Sequence, residues 1–137
     1  MFYEPHKKNH GLALNPFNSL IIPRPIGWIS SVDNDGVFNL APYSFFNAVC
    51  YQPPTVMFSA GVGSASDGMK DSLRNIETTG EFVCNLATWE TRHQMNQTSA
   101  AVPPDTDEIE LAGLTTIASQ LIKAPRIAEA PVHLECR

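Results

Sequence analysis

The chain has 137 residues and a formal net charge of −5, from 9 Lys and Arg against 14 Asp and Glu. That length suits one domain and is short for two, and the acidic balance argues against a nucleic-acid partner, whose binding is largely electrostatic. No apolar run approaches the roughly 20 residues that a membrane-spanning helix needs, and the opening MFYEPHKKNHG lacks the apolar centre of a signal peptide, so a cytoplasmic protein without a membrane partner is expected.

Met1 to Phe17 reads as an extended arm. His6 and His10 are four residues apart, as two metal ligands on one helix face would be. Pro5 and Gly11 bracket them and no third ligand is near, so solvated loop histidines are expected and no metal site. The apolar run Leu20-Ile21-Ile22 is placed on a subunit interface or in the first strand. Pro23 and Pro25 hold Arg24 extended, either as a surface residue on an edge or as a ligand contact. Arg24 to Val32 is rich in β-branched and aromatic residues, which suits a strand; Asp33-Asn34-Asp35-Gly36 supplies a tight turn, and Val37 to Ala41 returns as its partner. From Pro25 to Ser66 the only charged residues are Asp33 and Asp35, so this region is interior or interface. Within it Asn39, Ser44 and Asn47 alternate with Pro42, Tyr43, Phe45 and Phe46. Buried amides and hydroxyls need partners. They find them either in neighbouring turn backbone or in a flat, heteroatom-rich ligand walled by the aromatics.

Phe45 to Val49 is a third strand, broken by Gln52-Pro53-Pro54. Thr55 to Ser59 is a fourth, nearly continuous in apolar character and so expected to be buried on both faces. The small-residue loop 60–66 holds Gly-x-Gly but neither a full dinucleotide fingerprint nor a β-α-β setting, which argues against that fold. In Asp67 to Gly80, Met69, Leu73 and Ile76 recur at helical spacing, Gly80 is a natural stop, and Asp71 or Ser72 can cap the start. That start, beside Lys70, is a ready anion site, although an ordinary surface lysine fits the same residues. Glu81 to Leu86 is a fifth strand in which Cys84 packs among apolar neighbours. Cys50, Cys84 and Cys136 are odd in number and far apart, as free thiols in a reducing compartment would be. Thr88 to Thr98 contains a short helix with Trp89, His93 and Asn96 on one face. Val102 to Glu108 reads as an acidic surface loop, and Ile109 to Ile122 as short strand and turn pieces. Pro131 to Arg137 begins a strand at which the chain stops, so a truncated C-terminus is expected. No nucleophile–base pair, metal cluster or motif-placed pair of carboxylates appears, and no catalytic residue is assigned.

RPIGWISSVDNDGVFNLAPYSFFNAV, followed by PPTVMFSAG, KDSLRNIETTGEFVCNLAT and a late Glu-Cys pair, resembles the flavin reductase-like, FMN-binding split-barrel family, and most of all its flavoredoxin-type branch. The resemblance runs from about Asn15 to Cys136. It implies a mainly β fold: one domain over residues 1–137, an antiparallel split barrel of six strands with one or two short helices, forming a homodimer with FMN at the subunit interface. Carried onto this chain, it implies that Ser30, Asn39, Ser44 and Asn47 bond the isoalloxazine and ribityl, in part through backbone, within a stretch that includes Ala41 and Pro42. Trp28, Tyr43 and Phe45 would wall the ring, Arg24 would contact phosphate or ribityl, and Lys70, Asp71 and Ser72 would hold the phosphate. Family members reduce flavin with NADH or NADPH, or act as non-enzymatic electron carriers. Both readings are expected of this chain, the first ahead of the second.

Overall fold

The computed structural model describes residues 2–63, 68–103 and 106–137. After a 3-10 turn at Pro5–Lys7 the elements are α1 (Pro16–Leu20), β1 (Gly27–Val32), β2 (Phe38–Tyr43), β3 (Phe46–Tyr51), β4 (Pro54–Phe58), α2 (Asp71–Thr79) and β5 (Phe82–Asn85). Then follow α3 (Arg92–Gln97), α4 (Glu108–Leu111), β6 (Thr116–Ile117), β7 (Arg126–Ile127) and β8 (His133–Cys136). The five strands expected from the sequence are all present. Among the described residues there are four α-helices, where one or two were expected.

Asp33 builds the first hairpin with its own side chain. Its Oδ1 accepts from the backbone N–H groups of Asp35 (2.9 Å) and Val37 (2.8 Å), and Gly36 takes the positive φ of 89° that the turn requires. β1 and β2 then pair antiparallel from Gly27–Tyr43 to Val32–Phe38. On its other edge β1 pairs antiparallel with β5, and β5 with β8, giving a four-stranded sheet in the order β2-β1-β5-β8. β3 with β4, and β6 with β7, form separate two-stranded antiparallel sheets, and the strands do not close into a complete barrel.

β1 is buried at every position, because apolar clusters lie on both of its faces. Trp28 joins Leu40, Ile109, Ile127 and Ala130 on one side, and Ile29 joins Tyr43 and Cys84 on the other. The expectation that Thr55 to Ser59 is buried on both faces is not met. β4 pairs only with β3, so Phe46 and Phe58 reach the second cluster while most of the ribbon faces outward. Leu20, Ile21 and Ile22 are exposed and belong to no strand.

α2 lies against β1 and β2, but not through the face that its apolar spacing suggests. Ser72 and Asn75 are the residues turned inward and buried, with Ile76 packed at the edge of the second cluster. The strands present polar groups at this point: Asn75 Nδ2 donates to Ser31 Oγ (3.2 Å), and Ser72 Oγ donates to Asn39 Oδ1. A polar helix face therefore meets polar positions of the sheet, and Met69 and Leu73 are left half-buried.

Candidate functional site

The hydrogen bonds near the start of β2 converge on one carboxylate. Asp107 caps α4, its Oδ1 accepting from the N–H groups of Ile109 (2.8 Å) and Glu110 (3.3 Å). This places Glu108 at the first helical position, turned toward the sheet and only 8% exposed. Its Oε1 accepts from Asn39 Nδ2 (2.9 Å) and its Oε2 from the Leu40 N–H (3.2 Å). Burial pushes the Glu108 pKa up. The Leu40 N–H pulls the other way, and the charges of Asp71 and Asp107 add to the rise. The acidic surface loop expected at 102–108 thus ends in a buried, hydrogen-bonded acid; Pro104 and Asp105 of that stretch lie outside the described residues.

Above this network is a cavity of about 580 Å³, within the range of roughly 300–1,000 Å³ usual for small-molecule sites. Its walls come from five stretches: β2, residues 62–63, residues 69–72 at the start of α2, residues 98–103 following α3, and Glu108 at the start of α4. Tyr43 forms part of the floor. It is 5% exposed, and its buried Oη makes no hydrogen bond. Burial pushes its pKa up, the nearby Ser72 hydroxyl opposes this, and Asp71 and Glu108 add to the rise, so the phenol keeps its proton and stays a donor. Lys70 Nζ stands 5.6 Å from the centroid of the Tyr43 ring.

Lys70 occupies the N-cap position of α2 in an extended conformation, and no side chain caps the helix. The expected cap from Asp71 or Ser72 is not formed: Asp71 Oδ1 accepts from Arg74 Nη1 (2.7 Å), and Ser72 is committed to Asn39. The start of α2, the positive end of the helix dipole, therefore borders the cavity beside the Lys70 ammonium. Gly63 makes this possible by close approach, since a Cβ there would lie 2.5 Å from the Met69 carbonyl oxygen and 2.9 Å from the Lys70 nitrogen. The hydroxyls of the opposite wall are already used. Thr98 Oγ1 accepts from Trp28 Nε1 (2.9 Å) and donates to Met95 O (2.8 Å), and Ser99 Oγ donates to Asn96 O (2.6 Å).

Of the residues singled out from the sequence, Asn39, Ala41, Pro42, Tyr43, Lys70, Asp71 and Ser72 line this cavity. Trp28 and Ser30 do not: both are fully buried. Trp28 sits behind Thr98, and Ser30 Oγ donates to Pro125 O and accepts from Asn85 Nδ2. Arg24, Ser44 and Phe45 form a separate group that anchors α1. Arg24 Nε donates to Ser44 Oγ (3.2 Å), its guanidinium lies 5.3 Å from the Phe45 ring centroid, and Phe45 stacks on Phe17. Asn47 is exposed on β3, its Oδ1 accepting from the Ala48 N–H. Trp89, His93 and Asn96 are exposed, His6 pairs with Glu4 at 3.4 Å, and no metal-ligating cluster occurs among the described residues. Sequence reasoning missed Glu108. The available signal was Asp107, a capping residue two positions before the apolar Ile109.

This fold is the flavin reductase type of split barrel, with its seam open. The chain itself belongs to the flavin reductase like domain family, whose match covers residues 19–137. An uncharacterized protein of Aquifex aeolicus is 45% identical over 119 residues, covering 86% of this chain and 60% of the relative. Nitrilotriacetate monooxygenase component B from Bacillus cereus is 37% identical, with a TM-score of 0.85, over 99% of this chain and 66% of that one. Flavoredoxin of Desulfovibrio vulgaris shares the fold at 19% identity, with a TM-score of 0.74, over 98% of this chain and 65% of its own. The chain spans between about half and 60% of the length of the curated relatives it matches. No helix among the described residues is long and apolar enough to cross a membrane.

Proposed function

We propose that this cavity binds FMN and that the protein is a flavin-dependent oxidoreductase, taking electrons from NADH or NADPH and passing them to flavin or to a further acceptor. One observation carries the proposal: a buried phenol donor without a partner, an ammonium and an uncapped helix start open into a single cavity. Such a donor set calls for an acceptor-rich, anionic ligand, and membership of the family supports a flavin in that place. When bound, the flavin supplies the redox chemistry, and the protein binds and orients it. Lys70 and the amides at the start of α2 take the phosphate, with Asp71 contributing backbone and not its carboxylate. Tyr43 donates to a ligand oxygen or nitrogen, and Ala41 and Pro42 form the apolar wall. The brace from Glu108 through Asn39 to Ser72 fixes the first turn of α2 against the sheet. Trp28 and Ser30 support the site from the core.

The similarity to a monooxygenase component supports an enzyme that works with a separate acceptor. We place a homodimer contact on the exposed apolar face of Phe17, Leu20 and Ile22, beside the Arg24, Ser44 and Phe45 group, and the cytoplasm as the compartment, in keeping with three free cysteines. Visible spectra of the protein with added FMN, before and after anaerobic NADH or NADPH, test the reading. A flavin band that bleaches on mixing is expected. A bound band that neither donor bleaches identifies an electron carrier instead, and no bound band at all refutes flavin binding.

A further inference from the structure

We infer that Glu108 couples this cavity to protons: a phosphate-bearing flavin binds together with one proton, drawn from solvent onto the Glu108 carboxylate. The inference rests on the flavin reading above.

The geometry behind it is a cavity with an unfavourable charge balance for its ligand. The charged side chains lining it, among the described residues, are Lys70, Asp71 and Glu108. A phosphate placed at the start of α2 adds up to two negative charges to two carboxylates and one ammonium, and like charges in a partly buried site disfavour one another. The two carboxylates are not equally able to give way. Asp71 is half-exposed and paired with the Arg74 guanidinium at 2.7 Å. Glu108 is buried, and its two oxygens are met by neutral N–H groups, Asn39 Nδ2 and the Leu40 N–H. It also stands two hydrogen bonds from Ser72, in the first turn of α2.

The other ionisable groups around Glu108 reinforce the effect or do not respond. Asp71 from α2 and Asp107 from its own helix both work against its ionised form. Tyr43 from β2 is itself held protonated. The described part of the segment after α3 brings only Thr98, Ser99 and apolar residues to the cavity. Glu108 is therefore the group whose charge yields when an anion arrives.

The hydrogen bonds survive the change. A protonated carboxyl keeps lone pairs on both oxygens, so Asn39 and Leu40 retain their acceptor, and it gains one O–H donor in a cavity that then holds an anion. In the balance, the proton leaves the buffer, an O–H bond forms at Glu108, and the phosphate is left as it was. Linkage makes the effect reciprocal: the site binds the anion more tightly as pH falls.

Calorimetric titration in two buffers of different ionisation enthalpy measures the protons exchanged, using FMN and riboflavin against the wild type and Glu108→Gln. Wild type should take up close to one proton per FMN and none with riboflavin. Its FMN affinity should strengthen by up to about tenfold per unit fall in pH near neutrality. Glu108→Gln should bind FMN with that uptake and that slope abolished. Absent uptake in the wild type, or the same uptake in Glu108→Gln, overturns the inference while leaving flavin binding intact. Failure of FMN to bind the wild type overturns the flavin reading itself. If Glu108→Gln does not fold, carbon-13 NMR of Glu108 in the wild type decides: its titration should move to higher pH on adding FMN, and an unmoved titration overturns the coupling.

Discussion

Asn39 and Glu108 lie 69 residues apart in the chain and meet across 2.9 Å, the amide nitrogen donating to the carboxylate. This contact joins β2 to α4, and through Ser72 it reaches the first turn of α2. Glu108 accepts from the Leu40 N–H as well, so the acid is acceptor to two consecutive residues of β2.

Asn39→Ala should therefore destabilise the fold. The Glu108 carboxylate loses a donor and the Ser72 hydroxyl its acceptor, at about 1.5–3 kcal/mol for a hydrogen bond to a charged group. The effect has a definite dependence on pH. Folding raises the Glu108 pKa, so its contribution to stability is fully present below the ordinary carboxylate value and is lost as pH rises through the folded value. Without Asn39 the ionised form is poorer still, so urea unfolding should show a larger deficit at neutral pH than in mild acid. Equal deficits at both would count against the carboxylate as the cause.

Lys70→Ala should weaken FMN far more than riboflavin, which lacks the phosphate. A charge-assisted bond of about 1.5–3 kcal/mol corresponds to roughly tenfold or more in affinity. Flavin titrations of both proteins measure it. Equal losses for the two ligands would mean that Lys70 acts through folding and not on the phosphate.

Tyr43→Phe should separate stability from binding. In the free protein the Oη is buried without a partner, and an unsatisfied buried polar group costs about 1–3 kcal/mol. Removing it should leave the melting temperature unchanged or raised, while FMN affinity falls. A variant that loses stability and keeps its affinity would show that the phenol serves the fold alone.

Gly63→Ala should damage the same site through the start of α2. Its new methyl would press on the Met69 carbonyl and the Lys70 nitrogen, backbone atoms that can move only by displacing the start of α2. Overpacking of this kind costs about 1–3 kcal/mol. Thermal melts and FMN titration should both register it, and a variant indistinguishable from wild type would show that this stretch shifts freely.

Leu20→Asp combined with Ile22→Asp should abolish self-association if the exposed face around α1 is the subunit contact. Light scattering at micromolar concentration should give a dimer for wild type and a monomer for the double variant. A monomeric wild type with FMN bound would remove the interface.

Local chemistry was legible in the sequence because it needs only neighbours. Asp33 and Gly36 announce their turn, Cys84 reads as packing from the residues beside it, and Gly80 marks the end of α2. The seven cavity residues identified in advance fall in two continuous stretches, 39–43 and 70–72. What escaped depends on distant partners. Glu108 belongs to an acidic run that reads as surface, and its burial follows from Asn39 and Leu40, far back in the chain. Trp28 and Ser30 sit on the strand next to the cavity strand, yet their side chains are taken by Thr98, Pro125 and Asn85. The apolar run of β4 signalled burial but could not reveal that its sheet has only two strands.

The chain carries two tryptophans, and their surroundings are opposite. Trp28 is sealed from solvent with its indole N–H bonded to Thr98, while Trp89 is 74% exposed with the Arg92 guanidinium 4.1 Å from its ring centroid. Fluorescence from this protein should therefore divide into a blue component that iodide cannot reach and a red component that it extinguishes. Thr98 stands between Trp28 and the cavity, so an occupant that absorbs near-ultraviolet light will dim the blue component while the red one is already silent. The protein thus holds its own optical gauge of occupancy, readable without a label.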